Sequence, residues 1–395
     1  MLFKIIIQKL IVLLFFIPIT SFCQSKVVTG IVKDIITSQP VEGVSIGIQN
    51  TNGGTISNEE GKFRITLNQK NSVLNFSHLN FNKYSYSVQT TDDNLEILLE
   101  PKAYTLQEVV IRKQPINETV MEALKNSKKQ LEKSVLLSTY YREFVQVNGV
   151  YTNFSDGLLD YNIKRKSGAS DLYVNQSRAY ELKDSATVER KKMTESIYFY
   201  DVRDAISDAY NLKKLKFILE SKNYEYEIET KVDAQGNSIE LVTIIPKKEV
   251  ELGLYYGTVV YDVKTKLILE IDLKKSPDHK QHIPEVNAVF FRFKVNEESR
   301  KASFKIDGDN YILVYNQNKI NIYIKMKDRF DDTFEFLSDL ITTDYKEGEF
   351  DFDRSKRHKE RSLFSSGNNF TEEYWKTKNI ILLSDEEEKI IKSLD

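Results

Sequence analysis

The chain of 395 residues has one cysteine, Cys23, and four histidines. That scarcity excludes disulfides and thiolate zinc sites from everything after Cys23, and it leaves few side chains to ligate a transition metal. Proline is sparse at seven, glycine stands at 15, and tyrosine and phenylalanine reach 22 each. Few breakers and many aromatic β formers mark an ordered, strand-rich protein rather than a disordered one. No charge of one sign dominates: 56 Lys and Arg face 58 Asp and Glu, for a net charge of −2. Charges so interspersed give no basic face, so no nucleic-acid partner is expected. The HExxH pair and the Walker phosphate loop are missing as well.

An apolar run of membrane-spanning length is also lacking. Lys4 and Lys9 give a positive start, Leu10 to Ile17 is a short apolar run, and Pro18 to Cys23 forms a processing region. Residues 1–23 therefore read as an export signal peptide. Ser21 and Cys23 are the small residues at −3 and −1 for a cut before Gln24. The rival reading is a lipidated Cys23. Phe22 stands where a lipobox carries a small residue, which favours cleavage. The expected location is the periplasm or outer membrane, with membrane association peripheral at most.

What is present is organised around Val27 to Ile111. Alternating Val44, Ile46, Ile48 and Phe63, Ile65, Leu67 lie between turn signals such as Thr37-Ser38-Gln39-Pro40, Asn52-Gly53-Gly54 and Asn58-Glu59-Glu60-Gly61. That rhythm predicts a small antiparallel β-sandwich. Thr29-Gly30-Ile31-Val32, Gln39 to Val44 and Gly54 to Phe63 together resemble the carboxypeptidase-regulatory-like domain of Bacteroidota envelope proteins. The resemblance implies a transthyretin-like sandwich over residues 27–101 and a place in the cell envelope. Leu106 to Ile111 resembles the exit strand that leads to the barrel of TonB-dependent transporters, but too little chain follows to build such a barrel.

Residues 102–116 read as a linker and 117–395 as a larger second domain. Helices are expected near 117–133, where Val120, Leu124 and Leu131 share a face, near 201–219, and near 385–394. Asn148-Gly149, Asp233 to Asn237 and Asp262 to Lys266 mark three hairpins, with the first the strongest turn signal. Further strands fit 288–295, 302–306, 311–315 and 320–326. The fold class is mainly β, a transthyretin-like sandwich followed by an α+β domain with a curved antiparallel sheet. Gly257 to Asp262 with Thr265 and Ile268 looks like the sheets of periplasmic half-barrel carriers of the lipoprotein-carrier type. Tyr140-Tyr141-Arg142-Glu143-Phe144 after the first helix is similar to a group of flavobacterial proteins with the same regulatory-like domain, which implies architecture rather than a reaction.

Candidate sites are few. His282-Ile283-Pro284-Glu285 has the HxxE spacing by which metallocarboxypeptidases hold zinc. It lies in a polar loop with Pro284 inside the motif, and the only later histidine is His358. Zinc needs three convergent ligands and an open position, so His282, Glu285 and the neighbouring His279 are rejected as ligands, the histidines reading as exposed turn residues. His78 reads as a packed or edge strand residue. Asp184-Ser185-Ala186 resembles the acceptor tripeptide of Bacteroidota O-glycosylation, which makes Ser185 a glycosylation candidate in a solvated loop. Arg354 to Arg361 is a basic run, either a solvated loop or a contact for a polyanion or lipid head group. Ser384 and Glu387 form a capping box, and Trp375 is expected to anchor the tail in the core.

No catalytic residue and no cofactor is expected. The first expectation for function is a non-catalytic structural, assembly or docking protein of the envelope, with an outer-membrane or periplasmic protein as partner. The alternative is a half-barrel-like binding protein for a lipid, glycan or peptide, and a zinc carboxypeptidase comes last. An apolar cavity of several hundred Å³ inside the sheet would favour binding. A filled core with an exposed apolar patch would favour docking.

Overall fold

The computed structural model describes residues 25–67, 72–106, 115–164, 170–181, 200–288, 291–326 and 330–394. The sandwich comprises β1 (Lys26–Asp34), β2 (Ser45–Ile48), β3 (Gly54–Ile56), β4 (Lys62–Leu67), β5 (Val73–His78), β6 (Phe81–Ser87) and β7 (Asn94–Leu99). Two sheets, ordered β4–β1–β7 and β3–β2–β5–β6, face each other. The alternation seen in the sequence becomes a core of Val28, Val32, Ile46, Phe63, Ile65, Phe76 and Ile97, all buried. Gly61 is required by geometry: its φ is +71°, and a Cβ there would stand 2.4 Å from the Val32 carbonyl.

The second domain is one large open sheet with helices on its faces. Its first strand, β8 (Thr105–Leu106), lies in the expected linker, and α1 (Ile116–Leu131) follows. Then come β9 (Val135–Val147), β10 (Val150–Ile163), β11 (Ser170–Glu181), α2 (Asp204–Asn211), α3 (Lys213–Glu220), β12 (Tyr224–Val232), β13 (Ser238–Pro246), β14 (Tyr255–Asp262) and β15 (Ile268–Lys275). The short β16 (Val286–Asn287), β17 (Arg292–Asp307), β18 (Asn310–Met326) and β19 (Phe330–Glu347) complete it, before α4 (Glu372–Lys376) and α5 (Asp385–Leu394). The strand order is β11–β10–β9–β19–β18–β17–β15–β14–β13–β12–β8, with β16 attached to β17. The chain enters in mid-sheet at β9 and turns outward to β11. It then crosses to the far edge through α2 and α3, and meanders back until β19 pairs with β9.

Both edges are protected. Segment 358–369 lies along β11, where the His358 amide donates to the Leu172 carbonyl and the Asn369 amide to that of Ser177. Along β12, Glu225, Glu227 and Glu229 stand exposed. Helices α1, α2 and α3 fill the inner face of the sheet, packing Val120, Leu124, Ile206, Leu215 and Ile218 against Tyr141, Val259, Ile268 and Leu313. The outer face carries the C-terminal tail: Trp375, Ile380 and Ile381 bury against Tyr140, Leu158 and Ile341 together with Ile56 of the sandwich. Trp375 is 6% exposed and does anchor the tail.

Three expectations change. The helix near 201–219 is two helices, because Leu212 adopts φ +50° between them. Segments 288–295 and 302–306 join into the 16-residue β17, and 311–315 with 320–326 into the 17-residue β18. Register shifts at Val295/Glu297 and Ser303/Phe304 absorb the breaks in pattern that suggested separate strands. The 18-residue β19 had no sequence signal, since acidic and small residues interrupt its apolar positions.

Candidate functional site

The break at Leu212 shapes a pocket on the inner face. Its side chain is buried, so the strained left-handed backbone is held by packing. The last turn of α2 and the first turn of α3 roof a pocket of about 100 Å³ over β15, β17 and β18. Ala209, Leu212 and Leu215 face Ile271, Leu273 and Ala302 across it. No side chain caps α3.

The polar groups gather at one side. Asn316 and Asn318 both line the pocket. Asn316 donates to the Ala205 carbonyl at 2.8 Å. Both amide atoms of Asn318 are buried without a hydrogen-bond partner. Lys214 Nζ donates to the Tyr255 hydroxyl at 2.6 Å and to Glu298 at 2.7 Å. Arg300 bonds Glu298 at 3.0 Å and also pairs with Asp208. Lys275 Nζ stands 4.0 Å from the centre of the Tyr255 ring. Burial disfavours the Glu298 carboxylate, yet the charges of Lys214 and Arg300 outweigh it and hold its pKa down at about 2. Burial lowers Lys275 and Lys214. Perturbed groups beside a pocket are a site signature.

The sandwich offers a different feature. β1 and β7 run parallel, so their C-terminal ends lie together. There Ile35, Ile36 and Leu98 are 51%, 76% and 43% exposed. Sequence reading did not single them out, because nothing local tells an exposed isoleucine from a core one.

The residues singled out from the sequence do not converge. His279 lies in a short 3₁₀ turn, Pro277–His282. It is 2% exposed rather than an exposed turn residue, and it bonds Ser276 Oγ at 2.9 Å and the Lys247 carbonyl at 3.1 Å. His282 Nε2 contacts the Gln281 side chain. Glu285 turns away to Arg292 at 3.1 Å. Among the described residues no group of three His, Cys, Asp or Glu side chains is placed to hold a metal ion. Ser185 and the signal segment 1–23 lie outside the described residues. Within the basic run, Arg357 pairs with Asp171 at 3.0 Å. The letters GxSxG occur at Gly43–Gly47, but without the elbow that gives them chemistry. Ser45 opens β2 and pairs with Ile56 and Ser77, whereas a nucleophile elbow needs a strand-to-helix turn.

Residues 28–111 match the family model of the CarboxypepD_reg-like domain. No curated protein matches the chain. Three solved structures are similar. Lipovitellin, from a study of its lipid–protein interactions, is 7% identical with a TM-score of 0.24, and the match covers 55% of this chain and 26% of that one. A LolA superfamily protein from Nitrosomonas europaea is 10% identical with a TM-score of 0.21, covering 61% and 97%. A DUF1329 family protein from Desulfovibrio piger is 11% identical with a TM-score of 0.25, covering 62% and 98%. Scores this low carry no functional argument. No helix among the described residues is long and apolar enough to cross a membrane.

Proposed function

We propose that the protein is a non-catalytic cell-envelope factor that docks on an outer-membrane or periplasmic protein through its regulatory-like sandwich. The observation that carries this reading is the contrast between a helix-filled inner face and an exposed apolar tip at Ile35, Ile36 and Leu98. The pocket under α2 and α3, at about 100 Å³, falls short of the several hundred Å³ that would enclose a lipid or oligosaccharide. Exposed apolar groups gathered in one place are what a protein partner covers. The match to the regulatory-like domain and the signal-like composition of residues 1–23 support the envelope as the place.

In-cell crosslinking through a photoreactive residue at position 36 tests the docking. A discrete adduct with an envelope protein is expected, and an Ile35→Asp, Leu98→Asp variant should lose it. A chain that fractionates without any adduct overturns the docking reading. Stoichiometric zinc that disappears in a His282→Ala variant would overturn the non-catalytic one.

A further inference from the structure

We propose that the pocket between the α2–α3 junction and strands β15, β17 and β18 binds a short apolar group bearing a carboxylate. The inference concerns the other domain from the docking tip and stands or falls independently of it.

The walls define the apolar half of the ligand. Ala209, Leu212 and Leu215 lie on one side, and Ile271, Leu273 and Ala302 on the other. A volume of about 100 Å³ accepts a chain or branched group of a few carbons. A long acyl chain does not fit.

Three observations define the other half as an anion. The first is the uncapped N-terminus of α3, whose Leu212, Lys213, Lys214 and Leu215 all line the pocket. First-turn N–H groups can bond a carboxylate directly, whereas the helix dipole adds little, because the negative end of α2 meets α3 at Leu212. The second is the charge around the rim. Three cations, Lys213 and Lys214 from α3 and Arg300 from β17, face two carboxylates, Asp208 from α2 and Glu298 from β17, which leaves a surplus of one positive charge. The third is Asn318. Its neighbour two residues earlier on the same face, Asn316, is satisfied by the Ala205 carbonyl. The Asn318 amide, next to Arg300 in register, has no partner for either polar atom. A buried donor left unmet is costly, so this amide in the pocket wall gains from a ligand oxygen that reaches it. The left-handed Leu212 fits the same picture, since strain held by packing collects where a ligand is to be met.

Such chemistry is shared by a short fatty acid and by the C-terminus of a peptide ending in an aliphatic residue. Both can be tested on the full mature chain by calorimetric titration. The probes are hexanoate for the first source, N-acetyl-leucine for the second, and hexylamine as the cationic control. One or both carboxylates should bind saturably with one site, and the tighter one names the source. Hexylamine should bind at least about tenfold more weakly, the scale of a lost charge-assisted contact. An Ala302→Leu variant, which fills the apolar half, should abolish binding. An Asn318→Asp variant, which adds negative charge beside Arg300, should weaken it by a similar factor, and its unliganded thermal transition shows whether it has folded. Absence of saturable binding by either carboxylate overturns the proposal. So does equal binding of hexylamine, or binding that survives Ala302→Leu in a folded protein.

Discussion

At the scale of single residues, His78 links acidity to stability. Its ring sits in β5 at 5.3 Å from that of Phe81, and Nδ1 accepts from the Asn80 amide. Burial first, then the charges of Lys301 and Lys102, push its pKa down from 6.5 to about 4. The folded state thus resists protonation that the unfolded chain accepts freely. Stability from the neutral ring is fully present above pH 6.5, drains away as pH falls toward 4, and levels off below that. The loss over the window is on the order of 2–3 kcal/mol. A His78→Gln variant should lose clearly less stability than the wild type between those limits in guanidinium titrations. Equal losses would mean that another group titrates. Single residues were legible where their reason is local. Asn148 and Gly149 take φ of +52° and +80°, as an Asn-Gly hairpin tip requires. His279 was misread because its burial depends on the Lys247 carbonyl, far away in sequence.

At the scale of elements, α5 shows which signals travel well. The capping box forms as read: the Ser384 amide donates to Glu387 at 2.8 Å, and the Glu387 amide to Ser384 Oγ at 3.2 Å. What the sequence concealed is that Glu387 also meets Arg142 of β9 at 2.8 Å, while Arg142 holds Asp339 of β19 at 3.0 Å. A cap is a pattern within four residues, whereas an ion pair across a sheet needs the fold. The two contributions separate by mutation. Ser384→Ala should cost about 1 kcal/mol, the ordinary value of an N-cap. Arg142→Ala should cost roughly 3–5 kcal/mol, because it leaves two carboxylates buried and uncompensated. Urea midpoints of the two variants provide the measurement, and a smaller loss for Arg142→Ala than for Ser384→Ala would refute the ranking. The same difference in range explains why β17 and β18 were cut in two. Their polar inner positions, Glu298, Arg300, Asn316 and Asn318, break the apolar alternation, yet cross-strand pairing continues through them.

At the scale of the whole molecule, the tail makes one body of two domains. It passes between the sandwich and the outer face of the large sheet. There the Thr55 hydroxyl donates to the Ile380 carbonyl at 3.0 Å, and the Thr66 amide donates to Asn379 Oδ1 at 2.8 Å. Arg64 reaches the Lys376 carbonyl at 2.6 Å, and Asn52 reaches the Tyr345 carbonyl at 2.9 Å. Sequence shows two domains and a tail but not this seam, because its partners lie more than 290 residues apart. Ile56 is the apolar centre of the seam, 5% exposed among Tyr140, Ile341, Trp375 and Ile380. It belongs to that cluster and not to the sandwich core, so its loss weakens the joint while leaving each core filled. An Ile56→Ala substitution should therefore remove about 2–4 kcal/mol of coupling rather than of local stability. Calorimetry should show one unfolding transition for the wild type and two for the variant, the sandwich melting apart from the sheet. Two transitions already present in the wild type would mean that the tail lies against the sandwich without coupling it. One transition in both proteins would mean that the polar contacts of the seam suffice by themselves.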